Sequence, residues 1–360
     1  MPGYTVEYLS SSNEREWDES LEKLRGGSFY HTTHWQHVLE DAHNLTSRYF
    51  FVRDAKGIAA LCPFFEGKIA FFHGLLCLPS SDNCCILLRE SNPALLETIY
   101  SECRRICKAR SLSFFQITTV DPEVSRSFWK WNPLPLPVLG TMQVDLGSTR
   151  PEQIWSSFFS KKDRDQIIYC KNHGFTVRRG DSDDLKSLYD MYRSNLAHQK
   201  IESYPYSHFE SIRDVVGEDR ICITMLTKDG VKIAGSLAFK WAPNRALYGR
   251  YLGVDRKALA QSCTHCRVSH FLQWDLIERA SKTGYKTVCL GSTPNSLTDR
   301  YYRQKRKFGG KYEKNYAMVF PLSHAFTLCY NAYNRLNPDI WRDTGGGQIG
   351  LQATQEIGRS

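Results

Sequence analysis

No apolar run in the 360-residue chain approaches the roughly 20 residues needed to span a bilayer. Nothing in it is therefore expected to cross or insert into a membrane. The stretch Ile69–Leu78 is interrupted by His73 and Gly74 and followed by Pro79, and reads as buried strand. The opening residues Met1–Leu9 are polar and partly acidic, without an export signal, which makes the cytosol the expected compartment. Twelve cysteines in such a chain read as reduced thiols. Cys263 and Cys266 have CxxC spacing, but no second pair sits nearby. Cys103 and Cys107 stand at i and i+4 of a predicted helix. Neither set makes four ligands, so no metal is expected and small buried hydrophobes are the better reading. His31, His34 and His37 recur every three residues, yet no carboxylate-rich partner follows, and they are expected to flank a helix cap and face solvent. No Ser/His/Asp or Cys/His ordering is recognisable, and no nicotinamide cofactor is implied.

What the chain does have is core-forming material, at 41% hydrophobic and 13% aromatic residues. Its length suggests two domains at roughly 150 residues each. Lys and Arg number 47 against 38 Asp and Glu, a formal charge of +9. Such a balance suits a solvated basic surface or a polyanionic partner equally well. The densest basic run is Arg300, Arg303, Lys305, Arg306, Lys307, Lys311 and Lys314, with Tyr301, Tyr302, Phe308 and Tyr312 among them. Those residue types can pair with phosphates and stack on unpaired bases. They can equally form a solvated loop whose tyrosines cover a core edge.

Apolar periodicity predicts helices over Glu14–Leu24, Ala94–Ala109, Asp183–Gln199 and His270–Thr283, with Thr32 or Thr33 capping another through Leu39. Strands are predicted over Arg48–Arg53, Ile58–Phe65, Ile69–Leu75, Ser113–Thr119 and Thr141–Leu146. Further strands are expected at Phe175–Arg179, Ile221–Lys228, Val231–Trp241, Arg245–Leu252, Thr287–Leu290 and Asn315–Pro321. Pro151–Asn172 reads as a helix pair interrupted by charge. Asn132–Leu139, with three prolines, can be neither helix nor central strand, and the domain boundary is placed there. Each half then runs helices, antiparallel meander, helix, strand. The fold class is α+β, a duplicated unit in the element order of GNAT-type acyltransferases.

Six segments in order carry a family resemblance. Phe29–Trp35, Ser160–Arg164 with Lys171–Phe175, Lys232–Leu237, Tyr248–Tyr251, Trp274–Glu278 and Lys305–Gly310 together resemble the Fem-type peptidoglycan-bridge aminoacyltransferases over about residues 28–320. The last resembles that family's F-K-x-x-F-G-G box, with Gln304 in place of the aromatic. The resemblance implies two tandem GNAT-like domains, 1–140 and 141–320. It also implies a C-terminal helix within 321–340 packing on the first domain, leaving 341–360 as a flexible tail.

It implies further that an amino acid is moved from aminoacyl-tRNA, as co-substrate, to an amine. The acceptor would be a small molecule or peptide such as a phosphate-bearing cell-wall precursor, held between the domains. Lys305 is then the catalytic residue. Arg300, Tyr302, Arg303, Arg306, Lys307 and Phe308 would bind tRNA, and Arg164, Ser236, Arg250 and Tyr251 the substrate. Where the family uses two cations for the acceptor, this chain offers His37 and then His198 and Lys200. Asp275, Glu278 and Asp299 are general-base candidates by neighbourhood alone.

Acyl-CoA enzymes cradle a pyrophosphate on a glycine-rich strand-to-helix loop. The matching stretch here, Asp255–Arg267, contains no glycine, which favours the tRNA donor. An N-acyltransferase using acyl-CoA or an acyl carrier is the alternative. A third reading, an RNA-binding protein on a decayed scaffold, sits poorly with retention of the whole 300–310 box.

Overall fold

In the computed structural model the described residues are 3–136, 139–263 and 266–336. They form two compact units, one of Met1–Thr141, Ser292–Asp299 and Glu313–Ser360, the other of Met142–Gly291 and Arg300–Tyr312. No helix among the described residues is long and apolar enough to cross a membrane.

The first unit holds a six-stranded sheet in the order Thr46–Ser47, Phe64–Ile69, Phe72–Cys77, Phe114–Thr119, Tyr316–Pro321, Leu134–Leu136. A smaller sheet joins Thr5–Tyr8, Phe50–Asp54, Gly57–Cys62 and Leu87–Leu88. Its core packs Phe50, Phe64, Phe115 and Phe320 against Leu95, Ile99, Cys103 and Ile106 of the Pro93–Ala109 helix. That helix starts where Pro93 needs no N–H partner and the Asn92 side chain accepts the N–H of Leu95. The expected strand at 315–321 belongs here and not in the second domain. Tyr316–Pro321 pairs antiparallel with Phe114–Thr119, so the chain returns to close the first sheet. Leu134–Leu136 lies on that sheet's outer edge, with Pro135 opposite Met318, where a missing N–H is tolerated. Pro137 lies outside the described residues. The His324–Leu336 helix covers the sheet through Phe326, whose ring stacks 4.5 Å from Phe114. The expected tail, 341–360, is also outside the described residues.

The Phe29–Trp35 segment is interior. Thr32 caps the Thr33–His43 helix by accepting the Trp35 N–H. The Tyr30 hydroxyl donates to Asp82 at 2.7 Å and the Trp35 indole N–H to Ser81 at 2.8 Å. His31 corrects the expectation of a solvent-facing histidine, for it is fully buried. Its Nε2 donates to the Cys85 carbonyl at 2.9 Å, so Nδ1 accepts from Ser28 at 2.8 Å. Burial pushes its pKa down to about 4, and the ring is neutral.

The second unit is built on a seven-stranded sheet. Its order is Phe175–Arg179, Ile221–Lys228, Val231–Trp241, Ala246–Val254, Thr287–Thr293, Gly140–Asp145, Lys311–Glu313. The first four strands form an antiparallel meander, and the fourth pairs parallel with the fifth. The Lys161–Asn172 and Val268–Lys282 helices bury Ile167, Cys170, Phe271, Leu272 and Ile277 against Leu226, Ala234 and Ala238 on one face. The Asp183–His198 helix lies on the other. It comes so close that a Cβ on Gly253 would meet Met191 Cβ and the Tyr192 nitrogen at 2.6 Å. Only glycine fits there. Cys263 and Cys266 are joined by a disulfide, which corrects the reduced-thiol expectation for this pair; the other ten cysteines are free thiols. Cys103 and Cys107 sit in the first core. Among the described residues no cluster of His, Cys, Asp or Glu is arranged to hold a metal.

Candidate active site

Strand pairing creates the opening. The parallel ladder runs only from Ala246↔Thr287 through Tyr248↔Cys289, while its first strand continues to Val254. Across the other edge of that strand, Leu237 pairs with Tyr251 and Ala238 with Gly249. Arg250 is therefore the extra residue of a β-bulge, a device that re-aims a side chain beside a site. The Asp183–His198 helix is fastened to the strand's far end. Oriented for pairing, the Asn195 amide accepts from the Val254 N–H at 2.8 Å and donates to its carbonyl at 3.2 Å. His198 and Lys200, both exposed, follow at the helix end, and Lys200 takes a left-handed backbone at φ 59°.

The Arg300–Arg306 helix meets the same place. The Tyr301 hydroxyl donates to the Gln199 side chain, and the Arg300 guanidinium lies 5.0 Å from the Tyr301 ring centroid. Lys305 is half-buried on this helix, whereas Arg300, Arg303 and Arg306 are exposed. The structure thus brings Tyr301 of the helix that carries Arg300, Arg303, Lys305 and Arg306 to Gln199, which lies between His198 and Lys200.

Other expected site residues are used differently. Tyr302 and Phe308 are buried in the second core and cannot stack on bases. Phe308 meets Phe159 edge-on at 5.2 Å. Lys307, expected on tRNA, instead reaches both oxygens of buried Asp163 at 3.0 Å. Arg267 Nη1 stands 3.6 Å and His270 Nδ1 3.8 Å from the same carboxylate. Burial works to raise the Asp163 pKa, but hydrogen bonds from Ser160 and Lys307 outweigh it and hold the group below its ordinary value. Burial and the nearby Arg267 push His270 down to about 4. Arg164 donates to the Trp155 and Phe159 carbonyls at 3.2 and 2.6 Å. It satisfies a helix end and is not directed at substrate by any of these bonds. His37 lies between Glu14 and Glu40, at 3.4 and 3.3 Å, so two carboxylates offset any charge it carries.

Ser236 and Tyr251 are separated by the pleat. Ser236 pairs with Thr224, whose hydroxyl accepts from Arg279 of the Val268–Lys282 helix at 2.8 Å. Tyr251 faces the opposite helix layer, with its ring 5.5 Å from Tyr192. Asp275 bonds Arg279 at 2.5 Å and Glu278 bonds Lys171 at 3.4 Å. Burial raises the Asp275 pKa despite its arginine.

Sequence reasoning missed a buried phenol–imidazole cluster beside the bulge. The hydroxyl of Tyr251 lies 2.6 Å from His208 Nε2. The ring of Tyr204 lies 4.6 Å from that of His208. Burial, then the neighbouring Tyr204 and Tyr251, drive the Tyr192 pKa well up, with Arg250 opposing. The aromatic density of Tyr204–Phe209 was a usable signal. The spacing alone gave no partner across the sheet.

Residues 158–303 match the family described as acetyltransferase (GNAT) domain. No curated protein sequence matches the chain. Among solved structures, FemX is similar with a TM-score of 0.68 at 12% identity, covering 90% of this chain and 99% of that one. L-PGS from Bacillus licheniformis gives 0.56 at 16% identity, over 98% and 99% of the two chains. A tandem GNAT protein from the clavulanic acid biosynthesis pathway gives 0.58 at 10%, over 88% and 98%. The chain thus has an α+β fold similar to that of tandem GNAT proteins, and it is residues 158–303 that match the acetyltransferase (GNAT) domain family.

Proposed function

We propose that the protein is an aminoacyltransferase that takes an amino acid from aminoacyl-tRNA and forms an amide on an acceptor amine. One observation carries this reading. Exposed Arg300, Arg303 and Arg306 stand on a single helix beside the end of the Asp183–His198 helix, joined by Tyr301 and Gln199. A row of exposed cations at an opening suits a phosphate backbone. The reading is also supported by the strand-to-helix connection at 255–267, which lacks glycine. There the Asp255 carboxylate caps the Arg256–Ser262 helix by accepting the Ala258 N–H, so an acidic group already occupies that helix start.

In the reaction, the acceptor nitrogen attacks the ester carbonyl, the C–N bond forms and the C–O bond to the ribose breaks. The nitrogen gives up a proton and the ribose oxygen gains one. The ester is already activated, and no enzyme-bound intermediate is required. Lys305 would stabilise the oxyanion that develops on the carbonyl oxygen, an interaction stronger in the transition state than in the ground state. Arg250 and Tyr251, at the bulge, would hold the donor amino acid or the acceptor.

A second reading, acyl-CoA or an acyl-carrier thioester as donor, is favoured by the parting of the Ala246–Val254 and Thr287–Thr293 strands after three pairs. An extended acyl arm would lie along the strand edges left unpaired there. Gel shift with aminoacyl-tRNA and calorimetry with acetyl-CoA separate the two. The proposal expects a shift that weakens steeply with salt and no heat from acetyl-CoA. Micromolar acetyl-CoA binding without a tRNA shift would establish the second reading in its place.

A further inference from the structure

The first unit exposes an apolar face that its own core leaves uncovered. The hairpin between Phe64–Ile69 and Phe72–Cys77 turns at Ala70, φ 52°, and leaves Phe71 73% exposed. The Phe71 ring lies 4.5 Å from Phe72, and Phe72 meets Phe326 edge-on at 5.2 Å. The hairpin tip therefore abuts the first turn of the His324–Leu336 helix. Leu322, also exposed, joins the same edge. Its N–H donates to the Ser113 carbonyl at 2.8 Å, and the Ser113 N–H to that of His73 at 2.8 Å.

The helix itself has three sides at roughly 100° per residue. Phe326 and Tyr330 face the sheet. Ala325, Leu328, Cys329, Ala332 and Leu336 fall along one flank and are all exposed, Leu328 by 59% and Leu336 by 81%. His324, Thr327, Asn331 and Arg335 fall along the other. Singly exposed apolar residues need no explanation, but a continuous flank ending at a protruding phenylalanine does. Charge indicates what covers it. Residues 322–336 and the hairpin 67–73 contain Lys68, Arg335, His73 and His324, and no carboxylate.

We propose that this face docks the protein on an anionic lipid surface, with Phe71 in the headgroup layer and the helix lying along it. An apolar flank bordered by cations is what an interfacial helix requires, and anionic headgroups supply the complementary charge. A second copy fits less well. A two-fold contact presents the same patch twice and would bring Lys68 and Arg335 of two chains together without an acid between them. Such docking is peripheral and independent of the donor proposed above.

Co-sedimentation of the full chain with vesicles tests this. Binding is expected to phosphatidylcholine vesicles containing about a quarter phosphatidylglycerol and to fade with salt; pure phosphatidylcholine should bind little. Phe71→Ser and Leu328→Ser should each lower partitioning at least ~10-fold, given about 0.8 kcal/mol per buried methylene. Because both residues are exposed, thermal unfolding should be unchanged. Arg335→Glu should also weaken binding. Binding that ignores phosphatidylglycerol and Phe71→Ser would overturn the proposal. So would failure to bind either vesicle, including the case where the chain dimerises and Leu328→Glu breaks the dimer, which would give the face to a second copy.

Discussion

Both carboxylate oxygens of Asp163 lie 3.0 Å from the Lys307 ammonium, and this pair fastens the 300–310 box to the start of the Lys161–Asn172 helix. Asp163 also closes that helix's capping box, accepting from the Ser160 N–H and hydroxyl while its own N–H donates to Ser160. One carboxylate thus serves a helix start and a distant loop. The basic residue closest in sequence to Lys305 on its C-terminal side, after Arg306, is an anchor.

Lys307→Ala should therefore act on stability before it acts on nucleic acid. It leaves a buried carboxylate with its remaining cation, Arg267, at 3.6 Å. A loss of about 1–3 kcal/mol is expected, below the range for a fully buried pair because Lys307 is partly exposed. Urea unfolding measures it. A large drop in tRNA affinity with an unchanged unfolding midpoint would return Lys307 to the binding surface.

Asp184 gives a pH-dependent counterpart. Burial opposes its ionisation, but Arg178 at 2.7 and 2.8 Å and Lys232 at 2.9 Å bring its pKa down to about 2. A depressed folded value means the contribution is complete above the ordinary aspartate pKa of 3.8 and disappears as pH falls through about 2. Asp184→Asn should cost about 1–2 kcal/mol at pH 6. That difference should shrink steadily between pH 4 and 2, in unfolding curves run at each pH. A penalty independent of pH would mean the ion pairs contribute nothing.

Much of this architecture was legible because periodicity and turn residues report on local geometry. Phe175–Arg179, Ile221–Lys228 and Val231–Trp241 run as the alternation and the Asp229-Gly230 turn require. Partners across the fold were not legible. Nothing around Tyr316 says that its strand returns to Phe114–Thr119, because a buried apolar strand reads the same in either sheet. Within the basic box, composition made Tyr302, Lys307 and Phe308 equivalent to their neighbours. Only the helix's orientation separates inward Tyr302 from outward Arg303. The bulge at Arg250 depends on register, which sequence alone did not set.

The box's glycine should be as demanding as its lysine. A Cβ on Gly310 would stand 2.5 Å from Met142 Cγ and 2.9 Å from the Lys305 carbonyl. Gly310→Ala forces the backbone that carries Lys305 to move, at about 1–3 kcal/mol for an overpacked site. Turnover should fall with Lys305 itself unchanged. Gly310→Ala/Met142→Ala, which clears the side-chain clash, should recover part of it; no recovery would point to the carbonyl contact as the limiting one.

Lys305 discriminates best between catalysis and binding. It is half-buried on a helix whose Arg300, Arg303 and Arg306 are exposed, so phosphate contacts can be shared among three side chains while a developing oxyanion meets one. Lys305→Ala should cut turnover at least ~100-fold, the loss typical of one oxyanion donor, with tRNA affinity nearly unchanged. Lys305→Arg should rescue only partly, since a planar guanidinium does not place its charge where a compact ammonium does. Arg303→Ala should do the reverse, weakening tRNA binding and lowering its salt slope by about 1 while single-turnover rate at saturation holds. If Lys305→Ala instead raises the tRNA dissociation constant and spares the saturated rate, the ammonium binds phosphate. The oxyanion would then have to be met elsewhere, and Arg250 with the Tyr251–His208 pair at 2.6 Å is the next place to look.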